Sequence, residues 1–173
     1  MASTSQTPPP TKENEPTQEP PASYFLMHNV GKKTNWGTLL RSAAAFGVKE
    51  VLVVGGQKIQ LHGNQGTSNH AKFRNFDSLE DAKKFLAERG AKLCGVEIME
   101  TSKDVSTHPF TGPTCFMLGN EGIGMNDHQK NSCDEFVYIP QYSGATASLN
   151  VAIAGSIVFH HFALWAGFQE HGR

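Results

Sequence analysis

Three short stretches carry the residues best suited to chemistry. In Asn35-Trp36-Gly37-Thr38-Leu39-Leu40-Arg41, an amide side chain stands at the expected start of a helix and an arginine follows six residues later. A helix N-terminus presents free amide donors and the positive end of a dipole, so it suits phosphate. Arg41, more than one turn inside, could reach back towards a ligand held there. A structural reading is equally open, in which Thr34 or Asn35 merely caps the helix and Arg41 pairs with an acid. In Leu118-Gly119-Asn120-Glu121-Gly122-Ile123-Gly124, an apolar strand runs into three glycines that enclose one carboxylate. A tight turn needs one glycine or two. Three suggest that the backbone must come close to something else. In the third stretch, from Ile139 to Asn150, a strand ends at Pro140 and a loop of small residues follows. Ser148 is then placed to cap a long helix.

The spacings also exclude chemistry. A dinucleotide fingerprint needs G-x-G-x-x-G after the first strand and an acid some way on. Here the order is G-x-x-G-x-G and the strand lies late in the chain, which argues against a nicotinamide or flavin site. The glycine loop usual near the first strand of Rossmann-type methyltransferases is missing too. The eight histidines show no HExxH or comparable spacing, and the adjacent His160 and His161 point to different sides of a helix. No structural zinc is expected. Cys94, Cys115 and Cys133 are odd in number and form no CxxC pair. They read as reduced, buried thiols of an intracellular protein.

Strand-like and helix-like segments alternate around these stretches. SYFLMHNV, EVLVVG, AKLCGVEIM, PTCFML and EFVYIP read as strands, while NWGTLLRSAAAFG and DSLEDAKKFLAERG read as helices. Gly47 is the expected stop of the first helix, and Ser78 with Asp81 a loose capping box for the second. Continuous apolar strands alternating with helices predict an α/β fold, a mostly parallel sheet covered by helices on both faces. In such sheets the loops at the carboxyl ends of strands carry the chemistry. The glycine loop lies at such an end.

The length of 173 residues fits one domain. Residues 1–22 hold six of the nine prolines and no large apolar residue, so they read as a disordered tail before a domain over 23–173. The tail lacks arginine and an apolar core, which argues against a transit peptide and a signal peptide and for a cytoplasmic or other intracellular protein. A net charge of −1 gives no general reason to expect nucleic acid. Its distribution says more. From Lys32 to Arg74 seven basic residues face one acid, Glu50, whereas the stretch from Asp77 to Glu135 is acidic. Residues 151–168 are apolar enough to raise a membrane span, but Ser156, His160 and His161 would have to enter hydrocarbon. A buried helix or subunit interface fits better.

Taken in order, N-x-G-x-x-x-R, then L-G-N-E-G-x-G-M, then I-P…S-L-N-x-A-x-A before a last apolar helix resemble the SpoU-type (TrmH-like) RNA ribose 2′-O-methyltransferases of the SPOUT superfamily. The resemblance covers residues 24–168. It implies a C-terminal trefoil knot, a rare exception to the rule against knotted chains. It also implies S-adenosylmethionine bound among the knot loops. Gly119, Ile139 and Leu149 would hold it largely through backbone groups, Leu118, Gly122 and Ser148 would close the pocket, and Glu97 would be a neighbour. Arg41 matches the family's catalytic arginine, with Asn35 and Asn150 orienting it and the ribose, and Glu121 with Asn120 fixing the glycine loop. Attack of a ribose 2′-hydroxyl on the sulfonium methyl releases a neutral thioether, so no metal is needed. Arginine keeps its proton, so gripping a phosphate and stabilising a developing alkoxide suit it better than acting as base. The implied partners are RNA, tRNA first and rRNA second, and a second copy joined through the last helix. The low net charge leaves room for an accessory protein that presents the RNA. The alternatives are a catalytically silent knotted dimer that binds RNA or protein, and a base methyltransferase on the same fold.

Overall fold

The computed structural model describes residues 19–28, 33–55, 72–120, 122–144, 146 and 148–172. Most of the expected tail, and Glu121, lie outside the described residues. In chain order the elements are β1 (Ser23–Met27), α1 (Lys33–Ala45), β2 (Glu50–Val54), β3 (Lys72–Phe76), α2 (Leu79–Ala87), β4 (Lys92–Val96), β5 (Lys103–Asp104), a 3₁₀ turn (Val105–Thr107), β6 (Thr114–Leu118), α3 (Asp127–Ser132), β7 (Glu135–Tyr138) and α4 (Val151–Trp165). The strands form one sheet in the order β3-β2-β1-β6-β4-β7-β5, every pair parallel.

Period-two alternation sorts each apolar strand onto two cores. Phe25, Val51, Val53, Phe116 and Leu118 face one side, where α1 and α4 supply Leu39, Ala43, Val158, Phe159 and Phe162. Tyr24, Leu26, Leu52, Cys115 and Met117 face the other, against Leu79, Ala82 and Leu86 of α2. A strand buried on both faces has no polar side to alternate, which is why these strands read as unbroken apolar runs. Cys94 and Cys115 are buried and free, and burial pushes both thiols up. Cys133 is pushed up to about 12, again by burial first.

Three elements went unread in the sequence. The edge strand β3 (KFRNF) is half exposed and lacks an apolar run, and β5 has two residues. The helix α3 (DHQKNS) has no apolar residue, and its buried side chain is the polar Gln129. Gln129 closes a full capping box with Asn126 and donates through Nε2 to the His28 carbonyl at 3.1 Å. The looser box expected at α2 is different. Ser78 Oγ accepts from the Asp81 amide at 3.2 Å, but it also donates to the Asp81 carboxylate at 2.7 Å, so the return bond to the backbone is not made. Helix α1 already includes Lys33, so neither Thr34 nor Asn35 caps it. Gly47, at φ +73°, ends it as expected, with the Val48 amide donating back to the Ala43 carbonyl at 2.9 Å.

The last apolar stretch forms α4, and no helix among the described residues is long and apolar enough to cross a membrane. It packs on α1 at very close range. A Cβ on Gly155 would lie 2.5 Å from Leu39 Cδ2 and 3.0 Å from Leu118 Cδ1, and Ser42 and Ser156 share a 2.6 Å hydroxyl bond across the contact. Farther along, Phe110 stacks edge-on with Phe162 and Trp165, and His108 Nε2 meets His161 Nδ1 at 3.0 Å.

That histidine bond requires at least one neutral ring. Burial, then His108 and His160, hold the His161 pKa below the ordinary value against the pull of Asp104. His28 shifts the same way, through burial and His128, opposed by Glu80. A histidine with a depressed folded pKa binds more protons when unfolded. Its stabilisation is therefore present above about pH 6.5 and is lost as pH falls below it. Urea unfolding should show a lower midpoint at pH 5.5 than at pH 7.5, and His161→Gln should shrink the difference. An undiminished difference in the variant would rule out the pair as its source.

Candidate active site

The strands β6, β4 and β7 are neighbours in the sheet, and the loops leaving their carboxyl ends surround one cavity of about 380 Å³. This lies within the range of roughly 300–1,000 Å³ usual for small-molecule and cofactor sites. Glu97 and Ile98 after β4, the glycine loop after β6, Ile139 and Gln141 after β7, and Ser148 and Leu149 before α4 contribute to its lining.

The glycine loop is tied first to itself. Asn120 and Gly124 exchange backbone bonds of 3.0 and 2.8 Å, and Asn120 Oδ1 accepts from the Gly122 amide at 2.9 Å. A Cβ at Gly119 would sit 2.8 Å from the Gly124 carbonyl carbon and the Met125 amide. Gly124 has φ +68°, and its Cβ would lie 2.9 Å from Glu97 Oε2. So closure of the loop by itself requires glycine at two of the three positions, and all three line the cavity. Gly122 is the open one, with Asn120 Oδ1 its nearest neighbour at 3.5 Å.

Glu97 fastens two walls together. Its Oε2 accepts from the Met125 amide at 3.1 Å and its Oε1 from its own next amide, Ile98, at 3.2 Å. Ser102 Oγ donates to the Glu97 carbonyl at 2.7 Å and steadies the same turn.

All seven residues expected around a cofactor, Glu97, Leu118, Gly119, Gly122, Ile139, Ser148 and Leu149, line this cavity. Asn150 caps α4 in place of the expected Ser148, accepting through Oδ1 from the Ala152 and Ile153 amides at 2.9 and 3.4 Å. Its Nδ2 donates to Asn35 Oδ1 at 3.2 Å, which joins the starts of α1 and α4 next to the cavity. Both residues are good caps by type, and it is Asn150 that stands directly before the first helical residue, Val151. Arg41 is exposed, about 9 Å along the axis from Asn35, and no carboxylate among the described residues pairs with it. The sequence also missed Lys130, a cation lining the cavity from α3. Its signal was there in the Asn126…Gln129 box that sets this helix directly behind the glycine loop.

Fold and cavity together define an all-parallel α/β domain with a cofactor-sized site at the ends of adjacent strands. A family profile described as the SpoU rRNA Methylase family matches residues 22–160. A tRNA (guanosine(18)-2′-O)-methyltransferase of Thermus thermophilus is 29% identical over 141 residues, 80% of this chain and 72% of that protein. A relative in Mycobacterium ulcerans named as an uncharacterized tRNA/rRNA methyltransferase is 28% identical over 151 residues, 83% of this chain but 47% of its own length. The chain thus spans about half of that relative. An AdoMet-bound rRNA methyltransferase of Sinorhizobium meliloti shares the fold at TM-score 0.72 and 23% identity, over 84% of this chain and 57% of the other. The chain belongs to the SpoU rRNA methylase family.

Asn150 has two separable duties, and substitution should divide them. Asn150→Ala removes the cap and should cost about 1 kcal/mol in urea unfolding. Asn150→Asp keeps the cap and suits the positive helix end, but loses the donor to Asn35. It should unfold within about 0.5 kcal/mol of the native chain by the same measure. Equal losses in the two variants would mean that the link to Asn35, not the cap, holds the helix start.

Proposed function

We propose that the protein is an S-adenosylmethionine-dependent RNA methyltransferase acting on a ribose 2′-hydroxyl, of tRNA first and rRNA second. The observation that carries this reading is the convergence of seven residues spread from Glu97 to Leu149 on one cavity. Its chemistry fits the donor. Leu118, Ile139, Leu149 and Val151 offer apolar walls, while Glu97 and Lys130 place opposite charges on the same lining, as a zwitterionic amino-acid end requires. The 2′-O-methyltransferase activity named for the Thermus thermophilus relative agrees with it.

Bound there, the donor supplies a methyl group on a sulfonium, whose displacement leaves a neutral thioether. The chain's own part is alignment and charge. Glu97 holds the glycine loop against the β4 end, so the cavity is formed before anything enters it. Asn150 directly follows the lining Leu149 and is bonded to Asn35, and this pair orients the ribose. Arg41 binds the adjoining phosphate and stabilises the alkoxide as the hydroxyl gives up its proton to solvent water.

The same reading includes a homodimer and a threaded chain end. On α4, Ile153, His160 and Leu164 are exposed at spacings i, i+7 and i+11, one stripe of the helix. A second copy would cover it. The trefoil end comes from the family resemblance, and in it α4 keeps its packing on α1 and on the 105–110 segment.

Calorimetry should detect donor binding, and methyl-labelled donor with unmodified tRNA should give a labelled 2′-O-methyl nucleoside after digestion. Arg41→Ala should lower transfer at least about a hundredfold while donor affinity stays within about twofold. Label in a base would move the reaction to another class. Donor binding without transfer to tRNA, to rRNA or to RNA presented by a cell extract would favour a silent binding dimer.

A further inference from the structure

Five large apolar side chains are exposed among the described residues: Ile98 (60%), Ile123 (74%), Tyr142 (93%), Ile153 (50%) and Leu164 (57%). Two lie on the α4 stripe. The other three come from three separate segments, those that follow the adjacent parallel strands β4, β6 and β7. Ile98 follows β4, Ile123 tips the glycine loop, and both line the cavity; Tyr142 directly follows Gln141, which lines it too. Exposed apolar groups clustered at the edge of a cavity mark something that is meant to be covered.

We infer that this rim is a stacking platform for an unpaired base of the RNA substrate, with Tyr142 as the face on which the base lies. The inference rests on the methyltransferase reading and adds the substrate's other half to it. A ribose that presents its 2′-hydroxyl at the cavity mouth carries its base a few bonds away, too far out to enter and too close to avoid the rim. Unpaired bases splayed from RNA are held by stacking on aromatic faces, flanked by apolar contact and a cation near the phosphate. The rim has these parts. Tyr142 gives an aromatic ring at 93% exposure, Ile98 and Ile123 give aliphatic flanks, and Lys130 lies inside the lining with no ion pair to a described carboxylate.

The platform is also held in advance. One carboxylate, Glu97, accepts from the Ile98 amide and from Met125 at the end of the glycine loop, so the two isoleucine segments are fastened to each other. Tyr142 stands among small or polar neighbours, Gln141, Ser143 and Gly144. That setting suits a single flat ligand better than the apolar centre of a subunit contact, which the α4 stripe supplies instead.

The test compares the full-length chain with Tyr142→Ala, Tyr142→Phe and Tyr142→Trp. Fluorescence anisotropy reads binding of labelled, unmodified tRNA, a transfer assay reads kcat and KM, calorimetry reads donor affinity, and sedimentation reads oligomeric state. Tyr142→Ala should weaken tRNA binding and raise KM about fivefold or more, with donor affinity and sedimentation unchanged. The phenylalanine and tryptophan variants should stay near the native chain, because the ring and not the hydroxyl does the stacking. Native tRNA affinity and KM in Tyr142→Ala would overturn the platform. So would a change in sedimentation, which would make Tyr142 a subunit contact, or a fall in donor affinity, which would make it part of the donor's wall. If tRNA binding depends on the Tyr142 ring but the native chain transfers no methyl group, the enzyme reading fails and the platform stands.

Discussion

The close approach of α4 to α1 is the constraint on which the site depends. Gly155 has no side chain because Leu39 Cδ2 and Leu118 Cδ1 occupy the place a Cβ would take, at 2.5 and 3.0 Å. Leu39 belongs to the core of α1, and Leu118 ends β6 and lines the cavity. One glycine therefore sets the distances among the last helix, the first helix and the cavity wall. The 2.6 Å Ser42–Ser156 bond and the 3.2 Å Asn150–Asn35 bond lie along the same contact. Any widening would part the two asparagines before it exposed much of the core. Dense interiors resist such movement because side chains have few alternative places to go.

Polar groups do the remaining fixing, and they do it economically. Glu97 spends both carboxylate oxygens on backbone amides, one from each of two loops, and so turns separate strand ends into a single wall. Gln129, fully buried, makes a capping box with Asn126 and reaches the end of β1. Buried polar groups specify structure only when their bonds are made, and these are. The result is a cavity whose shape is set by the protein alone.

The central sheet was legible because β1, β2, β4, β6 and β7 carry the apolar runs that burial on both faces demands. The cavity lining was legible through the family resemblance, whose later two motifs sit at the ends of those runs and at the start of the last helix. The rest depends on contacts between distant parts of the chain. β3 buries little and so has no run to read, and α3 hides a glutamine where a reader looks for leucine. Ser148 and Asn150 are equal candidates for a cap by type, and nothing in the pattern says that the helix starts at Val151. For Arg41 the pattern marks the helix but not what the guanidinium faces, and it stands exposed.

The low net charge then takes on a different meaning. Phosphate contacts supply much of the affinity of most RNA-binding proteins, and a chain at −1 has little general attraction to offer. Stacking needs no net charge. On the proposed reading, a rim of exposed apolar and aromatic groups at the cavity would recruit an unpaired base by its face, and would leave single cations such as Lys130 in the lining and the exposed Arg41 to act at particular phosphates. On this account the protein would favour exposed, unpaired nucleotides over duplex, because a paired base cannot offer its face to the rim. Selectivity would then come from RNA shape, with local geometry doing what bulk charge does elsewhere.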